Sequence, residues 1–138
     1  VSEVGNRSGL GCQMIVSPNT DKDVIKATKD KGMLSFPGVL TPSECFSAIN
    51  FGADALKIFP AFKLGIDGFK AIKAVLPSDV KTYGVGGINE NHFHKWLLAG
   101  LTGFGIGSNL FHPSMNDDDI KTKAKKIVIE YDSWFAQR

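Results

Sequence analysis

The sequence has little cysteine and little histidine. Its two cysteines, Cys12 and Cys45, are too few for a disulfide framework, so we expect them to pack as small apolar residues in a reducing cytoplasm. His92 and His94 lie two residues apart on an expected helix and point to different faces, while His112 stands alone. No set of residues has the spacing of a zinc site, and the sequence therefore predicts no metal.

Long hydrophobic runs and an excess of one charge are also absent. The longest apolar runs, which flank Lys57, fall far short of the roughly 20 residues that a membrane span needs. Sixteen Lys and Arg residues against fourteen Asp and Glu leave a formal charge of +2, and the basic residues are dispersed rather than gathered in a stripe. We expect no membrane span, no nucleic-acid partner and, because no export signal follows Val1, a cytoplasmic location.

An initiator Met is missing as well. The chain opens with VSEVGNRSGLG, which resembles the end of a helix that leads into a glycine turn. The first strand candidate follows directly. We therefore expect the sequence to begin in the middle of a domain.

Short β-rich runs alternate with helical stretches along the whole chain. Their starts lie roughly 21 to 26 residues apart, which leaves room for one helix per crossover and predicts parallel neighbours with right-handed connections. Five such βα units fit either an open doubly wound sheet or part of a barrel, and periodicity alone does not distinguish them. The predicted strands are Cys12–Ser17, Met33–Pro37, Ala55–Phe59, Lys81–Val85 and Gly103–Gly107.

Capping motifs mark the starts of several helices. In TPSE, Thr41 is the expected N-cap and Glu44 completes a capping box, so we assign Glu44 to helix capping rather than to catalysis. Thr20 and Asn89 are predicted caps of the same kind. The expected glycines just after helix ends are Gly32, Gly52 and Gly100.

The last helix is predicted from about Asp117 to Phe135. Its spacing indicates an outer helix that packs on the sheet and turns a basic face to solvent. The expected apolar face comprises Ile120, Ala124, Ile127, Val128, Tyr131 and Phe135, and the basic face comprises Lys121, Lys123, Lys125 and Lys126.

One lysine, Lys57, interrupts the apolar run ADALKIFPA. Simple alternation would turn it to solvent, but the residues on both parities of the run are apolar, which is typical of a strand covered on both faces. A buried ammonium loses its hydration, so its pKa falls and the neutral amine becomes able to attack a carbonyl carbon and form a Schiff base. Lys57 is the candidate nucleophile.

Two glycine clusters end the last two predicted strands. Glycine lets an anion approach backbone N–H groups, and Gly86, Gly87, Gly107 and Ser108 are therefore the candidate phosphate site. The same clusters contain Gly103 and Gly105. Relief of crowding within a barrel explains glycine at these two positions at least as well as phosphate binding does.

Six segments together resemble the KDPG/KDPGal aldolase family. They are SPNTDKDVI, GVLTPSE, GADALKIFPA, LGIDGFKAIKAVLPSDV, VGGINENHFHKWLLAG and GFGIGSNLF, and they run through nearly all 138 residues. The resemblance implies a (β/α)8 TIM barrel and a class I aldolase without metal or other cofactor, usually a homotrimer. The segment SPN is closer to the galactonate branch, which implies cleavage of 2-dehydro-3-deoxy-6-phospho-D-galactonate to pyruvate and D-glyceraldehyde 3-phosphate.

The resemblance also assigns roles to individual residues. It implies that Lys57 forms the Schiff base, that Gly86, Gly87, Gly107 and Ser108 bind the substrate phosphate, and that Pro37 and Phe59 line the pyruvyl pocket. The family's first three strands are missing, and with them the glutamate that moves protons, a substrate-binding arginine and a threonine beside the pyruvate carboxylate. We thus expect residues 1–138 to be a single domain, the C-terminal two-thirds of the barrel.

Three alternatives remain open at this stage. The substrate could be the gluconate epimer, as in KDPG aldolase. The chain could also be a different phosphate-binding barrel enzyme in which Lys57 is structural. In a non-enzyme alternative, it is an inactive half-barrel that self-associates through its open edges.

Overall fold

The computed structural model describes residues 1–136, and its elements alternate between strand and helix. The strands are β1 (Met14–Val16), β2 (Leu34–Phe36), β3 (Gly38–Val39), β4 (Leu56–Ile58), β5 (Thr82–Val85) and β6 (Gly103–Gly105). The helices are α1 (Ser2–Gly9), α2 (Lys22–Asp30), α3 (Pro42–Phe51), α4 (Ala61–Val75), α5 (Phe93–Leu98) and α6 (Asp117–Ala136), with a 3₁₀ turn at Glu90–His92. The helical N-terminal segment and its glycine turn are confirmed.

Every strand pair is parallel, as predicted. β1 pairs with β2, while β3, β4, β5 and β6 form a second ladder in that order. β2 and β3 are two halves of one chain segment interrupted at Pro37, which has no N–H to donate. The second predicted strand was therefore too short, because this segment continues past Pro37 to Val39 and carries the sheet from β1 to β4.

The hydrophobic core lies between the sheet and the helices. Leu56 and Ile58 of β4 are almost fully buried in it, together with Phe69 of α4 and with Phe93 and Trp96 of α5. Lys57 lies between Leu56 and Ile58 and so points to the opposite, inner face of the sheet. Strand β4 is covered on both faces, which confirms what its composition predicted.

Residues 1–136 thus form an α/β fold with parallel strands that makes up part of a TIM barrel. On the inner face of β1, Met14 and Val16 are about half exposed. None of the helices in these residues combines the length and the apolar character that crossing a membrane requires.

Most of the predicted caps are confirmed. Glu44 accepts hydrogen bonds from the N–H groups of Leu40 and Thr41 at 2.9 and 2.8 Å, and the Glu44 N–H donates to the Thr41 hydroxyl oxygen at 3.3 Å. These contacts lower the pKa of Glu44, mainly through the Leu40 N–H. Gly32, Gly52 and Gly100 all have positive φ after helix ends, as expected.

One predicted cap is wrong. Asp21, not Thr20, caps α2, because its carboxylate accepts from the N–H groups of Asp23 and Val24. The Thr20 hydroxyl instead donates to the Gly38 carbonyl at 2.9 Å, tying the loop after β1 to β3.

The apolar face of α6 is narrower than predicted. Val128 and Phe135 are more than half exposed, whereas Trp134, which was not assigned to that face, is buried. The helix packs against α5 and the 3₁₀ turn, where the Trp134 ring lies 5.4 Å from the His94 ring, and its Tyr131 ring lies 6.3 Å from the Phe104 ring of β6.

Candidate active site

Lys57 is the buried cation of the sheet. Its side chain is 7% exposed, and burial lowers its pKa below the ordinary value. Within residues 1–136 no carboxylate forms an ion pair with it. An amine that is buried without a counter-ion favours its neutral form, which is the form that attacks a carbonyl.

A cavity of about 300 Å³ opens beside Lys57 on the inner face of the sheet. Phe36 and Tyr83 form much of its wall, and their rings meet edge to face with centroids 5.4 Å apart. Tyr83 lies next to Lys57 in the strand register, so both side chains leave the same face. Next in register is Gly103, where a Cβ atom would lie 3.0 Å from the Tyr83 ring, so the missing side chain makes room for that ring.

The sequence analysis did not single out Phe36 or Tyr83. The feature that places them beside Lys57 is the strand register, because residues that align across parallel strands share a face. That feature becomes readable only once the strand pairing is known.

Pro37 and Phe59 lie next to Lys57 without lining this cavity. The buried Pro37 accepts the Lys57 backbone N–H through its carbonyl at 2.9 Å. The centroid of the Phe59 ring lies 4.4 Å from the Lys57 amine nitrogen, a cation–π contact that favours the charged amine and so opposes the effect of burial. Their assignment to a pyruvyl pocket stays a prediction.

All four candidate phosphate residues line one second cavity, of about 380 Å³. Gly86 and Gly87 follow β5, and Gly107 and Ser108 follow β6. Two loops that are distant in sequence therefore line the same cavity. Parallel strands place their carboxyl ends at one edge of a sheet, which is why these loops meet.

Different structural constraints explain why glycine occupies these positions. Gly86 and Gly87 have φ of 90° and 71°, and a Cβ at Gly87 would lie 2.6 Å from Phe62. A Cβ at Gly105 would lie 2.7 Å from Val85, so crowding explains that glycine, as it does Gly103.

Gly107 differs from the other glycines of the two loops. It has an ordinary φ, and a Cβ there would meet nothing within 4 Å. No neighbour in the described chain requires a glycine at this position, so the open space in front of it is available to a ligand.

The two cavities adjoin each other. Val85 and Gly105 line both of them, one from each of the last two strands. The candidate nucleophile and the candidate phosphate loops therefore border neighbouring cavities.

A buried carboxylate fastens the second glycine loop. Glu90, 6% exposed, accepts a hydrogen bond from the Asn109 amide at 2.9 Å and pairs with Lys126 of α6 at 2.9 Å. These contacts, Lys126 first, lower the pKa of Glu90 to about 2. Lys126 itself is solvated as predicted, with 60% of its side chain exposed. Sequence reasoning missed the pair because the partners are 36 positions apart.

Several other polar side chains make local contacts within the fold. His94 contacts the Ser133 hydroxyl at 3.0 Å, and His112 contacts the Ser114 hydroxyl at 2.8 Å. Burial raises the pKa of the Cys45 thiol to about 11, and Cys12 is half-buried. No group of His, Cys, Asp and Glu in residues 1–136 is arranged to hold a metal ion.

A third cavity, of about 590 Å³, lies elsewhere. It runs between α1, β1 and the start of α2, and none of the candidate site residues lines it.

The family model for KDPG and KHG aldolases matches residues 2–126. The chain belongs to this family. It is 39% identical over 132 residues to the probable 2-dehydro-3-deoxy-6-phosphogalactonate aldolase of Rhizobium meliloti (strain 1021), covering 96% of this chain and 62% of that protein. It is 40% identical over 122 residues to the 2-dehydro-3-deoxy-6-phosphogalactonate aldolase of Escherichia coli (strain K12), covering 88% of this chain and 60% of that protein.

A solved structure described as native KDPGal superposes with a TM-score of 0.95 at 37% identity. The match covers 98% of this chain and 66% of that one. The aldolase family and its fold are thus confirmed. The chain spans about three-fifths of the length of the two curated relatives, so the activity of a whole family member is a proposal for this chain.

Proposed function

We propose that the chain carries the Schiff-base lysine and the phosphate site of a class I aldolase that cleaves 2-dehydro-3-deoxy-6-phospho-D-galactonate. The observation that carries this proposal is Lys57, which is buried, has no counter-ion within residues 1–136 and lies beside a cavity that adjoins the two glycine loops. The galactonate branch is favoured because both curated relatives of about 40% identity bear that name.

The chemistry begins with the neutral Lys57 amine. It attacks the C2 carbonyl carbon of the substrate, and loss of water from the resulting carbinolamine gives an iminium ion. The C3–C4 bond then breaks as the C4 hydroxyl loses its proton to a base, and its electron pair moves to the iminium. Glyceraldehyde 3-phosphate leaves, and the remaining enamine takes a proton at C3 and is hydrolysed to pyruvate and the free amine.

The described residues supply only part of this reaction. No carboxylate lines either cavity, and Glu44 is engaged in its capping box. Since a general acid or base contributes about 10²–10⁴-fold to a rate, we expect cleavage by residues 1–138 alone to be slow while imine formation remains possible.

Partners follow from the same proposal. The substrates are a phosphorylated sugar acid and pyruvate, and Gly86, Gly87, Gly107 and Ser108 bind the phosphate. The family resemblance supports a homotrimer, a cytoplasmic location and a reaction without cofactor.

The test measures pyruvate release from the galactonate ester and from its gluconate epimer. The Lys57→Arg variant should release none, because a guanidinium does not form the imine, while Lys63→Arg, at an exposed lysine near the site, should match wild type. Release by Lys57→Arg equal to a measurable wild-type release would refute the proposal, and faster cleavage of the gluconate ester would move the chain to the other branch. Binding of phosphate esters without any imine would favour a different barrel enzyme.

A further inference from the structure

The cavity of the glycine loops contains one residue that neither its motifs nor the proposed function assigns. Lys123 of α6 lines it together with Gly86, Gly87, Gly107 and Ser108. The sequence pattern placed Lys123 on a solvated basic face, and the structure shows it half-buried instead. We propose that Lys123 is a further binding residue of this site, the cation that pairs with the substrate phosphate.

The composition of the wall supports this role. Among the residues that line the cavity, Lys123 is the one ionisable side chain, and the rest offer backbone groups, a hydroxyl and two amides. A phosphate bound there by neutral donors alone would carry an unbalanced negative charge. A lysine ammonium supplies the compensating charge together with up to three N–H donors.

Neighbouring charges leave the Lys123 ammonium free. Within residues 1–136 it makes no ion pair and no hydrogen bond, although Asp119 lies one helical turn before it. The nearby Glu90 carboxylate is already occupied by Lys126 and Asn109. Its lowered pKa keeps it ionised at neutral pH and so keeps Lys126 paired.

The four lysines of α6 thus divide by position. Lys121 and Lys125 are exposed, and Lys126 holds Glu90. Lys123 lies three residues before Lys126, on the same side of the helix, and reaches the cavity instead. Glu90 fixes α6 against the glycine loops, which keeps Lys123 at the cavity wall.

Binding of inorganic phosphate and of glycerol 3-phosphate tests the assignment directly, by calorimetry on the 138-residue chain. Lys123→Gln should weaken both by about 10-fold, the loss typical of one charge-assisted contact at a half-buried site. Lys123→Arg should stay within about threefold of wild type, because it keeps the charge. The matched control is Lys125→Gln, which removes an exposed charge two residues away and should bind as wild type does.

Salt dependence gives a second readout that a packing role would not change. Added sodium chloride should weaken phosphate binding by the wild type more steeply than binding by Lys123→Gln, because the variant has lost the charge that salt screens.

The proposal rests on the phosphate site of the proposed aldolase, and the outcomes separate the two. Equal affinity of Lys123→Gln and wild type would overturn the role of Lys123 while pyruvate chemistry at Lys57 stood. If phosphate binding depends on Lys123 but no pyruvate chemistry occurs, the aldolase proposal is overturned and the role of Lys123 stands. A wild type that binds neither anion would overturn the role of Lys123 and the phosphate site together.

Discussion

At the scale of a single residue, burial of the Lys57 amine lowers the stability of the fold and, in the proposed reaction, makes the amine reactive. The amine is 7% exposed and has no carboxylate partner among residues 1–136. Such a group costs free energy that an apolar side chain of similar length would not. Packing does not account for the presence of this amine, and the proposed reaction does.

Replacement of this lysine by methionine should therefore stabilise the protein. We expect Lys57→Met to raise the free energy of unfolding by about 1–3 kcal/mol, because it removes a buried unpaired amine at nearly constant volume. Urea denaturation of the variant and wild type measures this difference. A variant less stable than wild type would mean that the contact of the amine with the Phe59 ring outweighs the cost of its burial.

The same substitution predicts a pH effect. The folded pKa of Lys57 lies below the ordinary value of 10.5, so the folded protein binds this proton less tightly than the unfolded chain does. The free energy of unfolding of the wild type should accordingly rise with pH between the lowered pKa and 10.5, and Lys57→Met should lack that rise.

Gly107 offers a second test at the residue scale. Gly107→Ala should change the free energy of unfolding by less than about 0.5 kcal/mol, because the new methyl group enters open space, and it should weaken binding of glycerol 3-phosphate. Gly105→Ala is the contrast, with an expected loss of about 1–3 kcal/mol from overlap with Val85. Unchanged ligand affinity in Gly107→Ala would remove this glycine from the phosphate site.

At the scale of elements, helix starts were the features that the sequence predicted best. The Thr41–Glu44 capping box appears as expected because its hydrogen bonds join residues three apart, which the local sequence determines. The α2 cap was one residue off, since both Thr20 and Asp21 have suitable side chains and the contact of Thr20 with Gly38 decided between them.

Glu44 should behave as a structural residue. We expect Glu44→Ala to lower the free energy of unfolding by about 1 kcal/mol, and Glu44→Gln to lose less because its side-chain oxygen still accepts the backbone N–H groups. The difference between wild type and Glu44→Ala should shrink as pH falls below about 4.5, because the folded pKa is lowered and protonation removes the contribution. Loss of pyruvate reactivity in Glu44→Gln at unchanged stability would instead make Glu44 part of the chemistry.

At the scale of the whole molecule, the order of the parallel strands could be predicted but their assembly could not. Spacing and the glycines after helix ends predicted five βα units, and composition predicted the buried lysine and the candidate phosphate loops. Which residues face one another depends on register and on helix packing. The register of Tyr83 with Lys57, and the cavity that Lys123 and Gly107 line together, are arrangements of that kind, and a single sequence gives no local signal for them.

In the proposed function, this arrangement brings a carbonyl to Lys57 and a phosphate to the glycine loops. The strands fix both ends, since Val85 and Gly105 line the two cavities together. The reactive amine is the part on which everything else depends.

The most direct measurement is borohydride reduction of the purified protein in the presence of pyruvate, followed by digestion and mass spectrometry to locate the adduct. The account predicts a reduced pyruvyl adduct on Lys57 and none on exposed lysines such as Lys63, with trapping that becomes faster as pH rises toward the lowered pKa. An adduct spread evenly over surface lysines, or no adduct at Lys57, would contradict it.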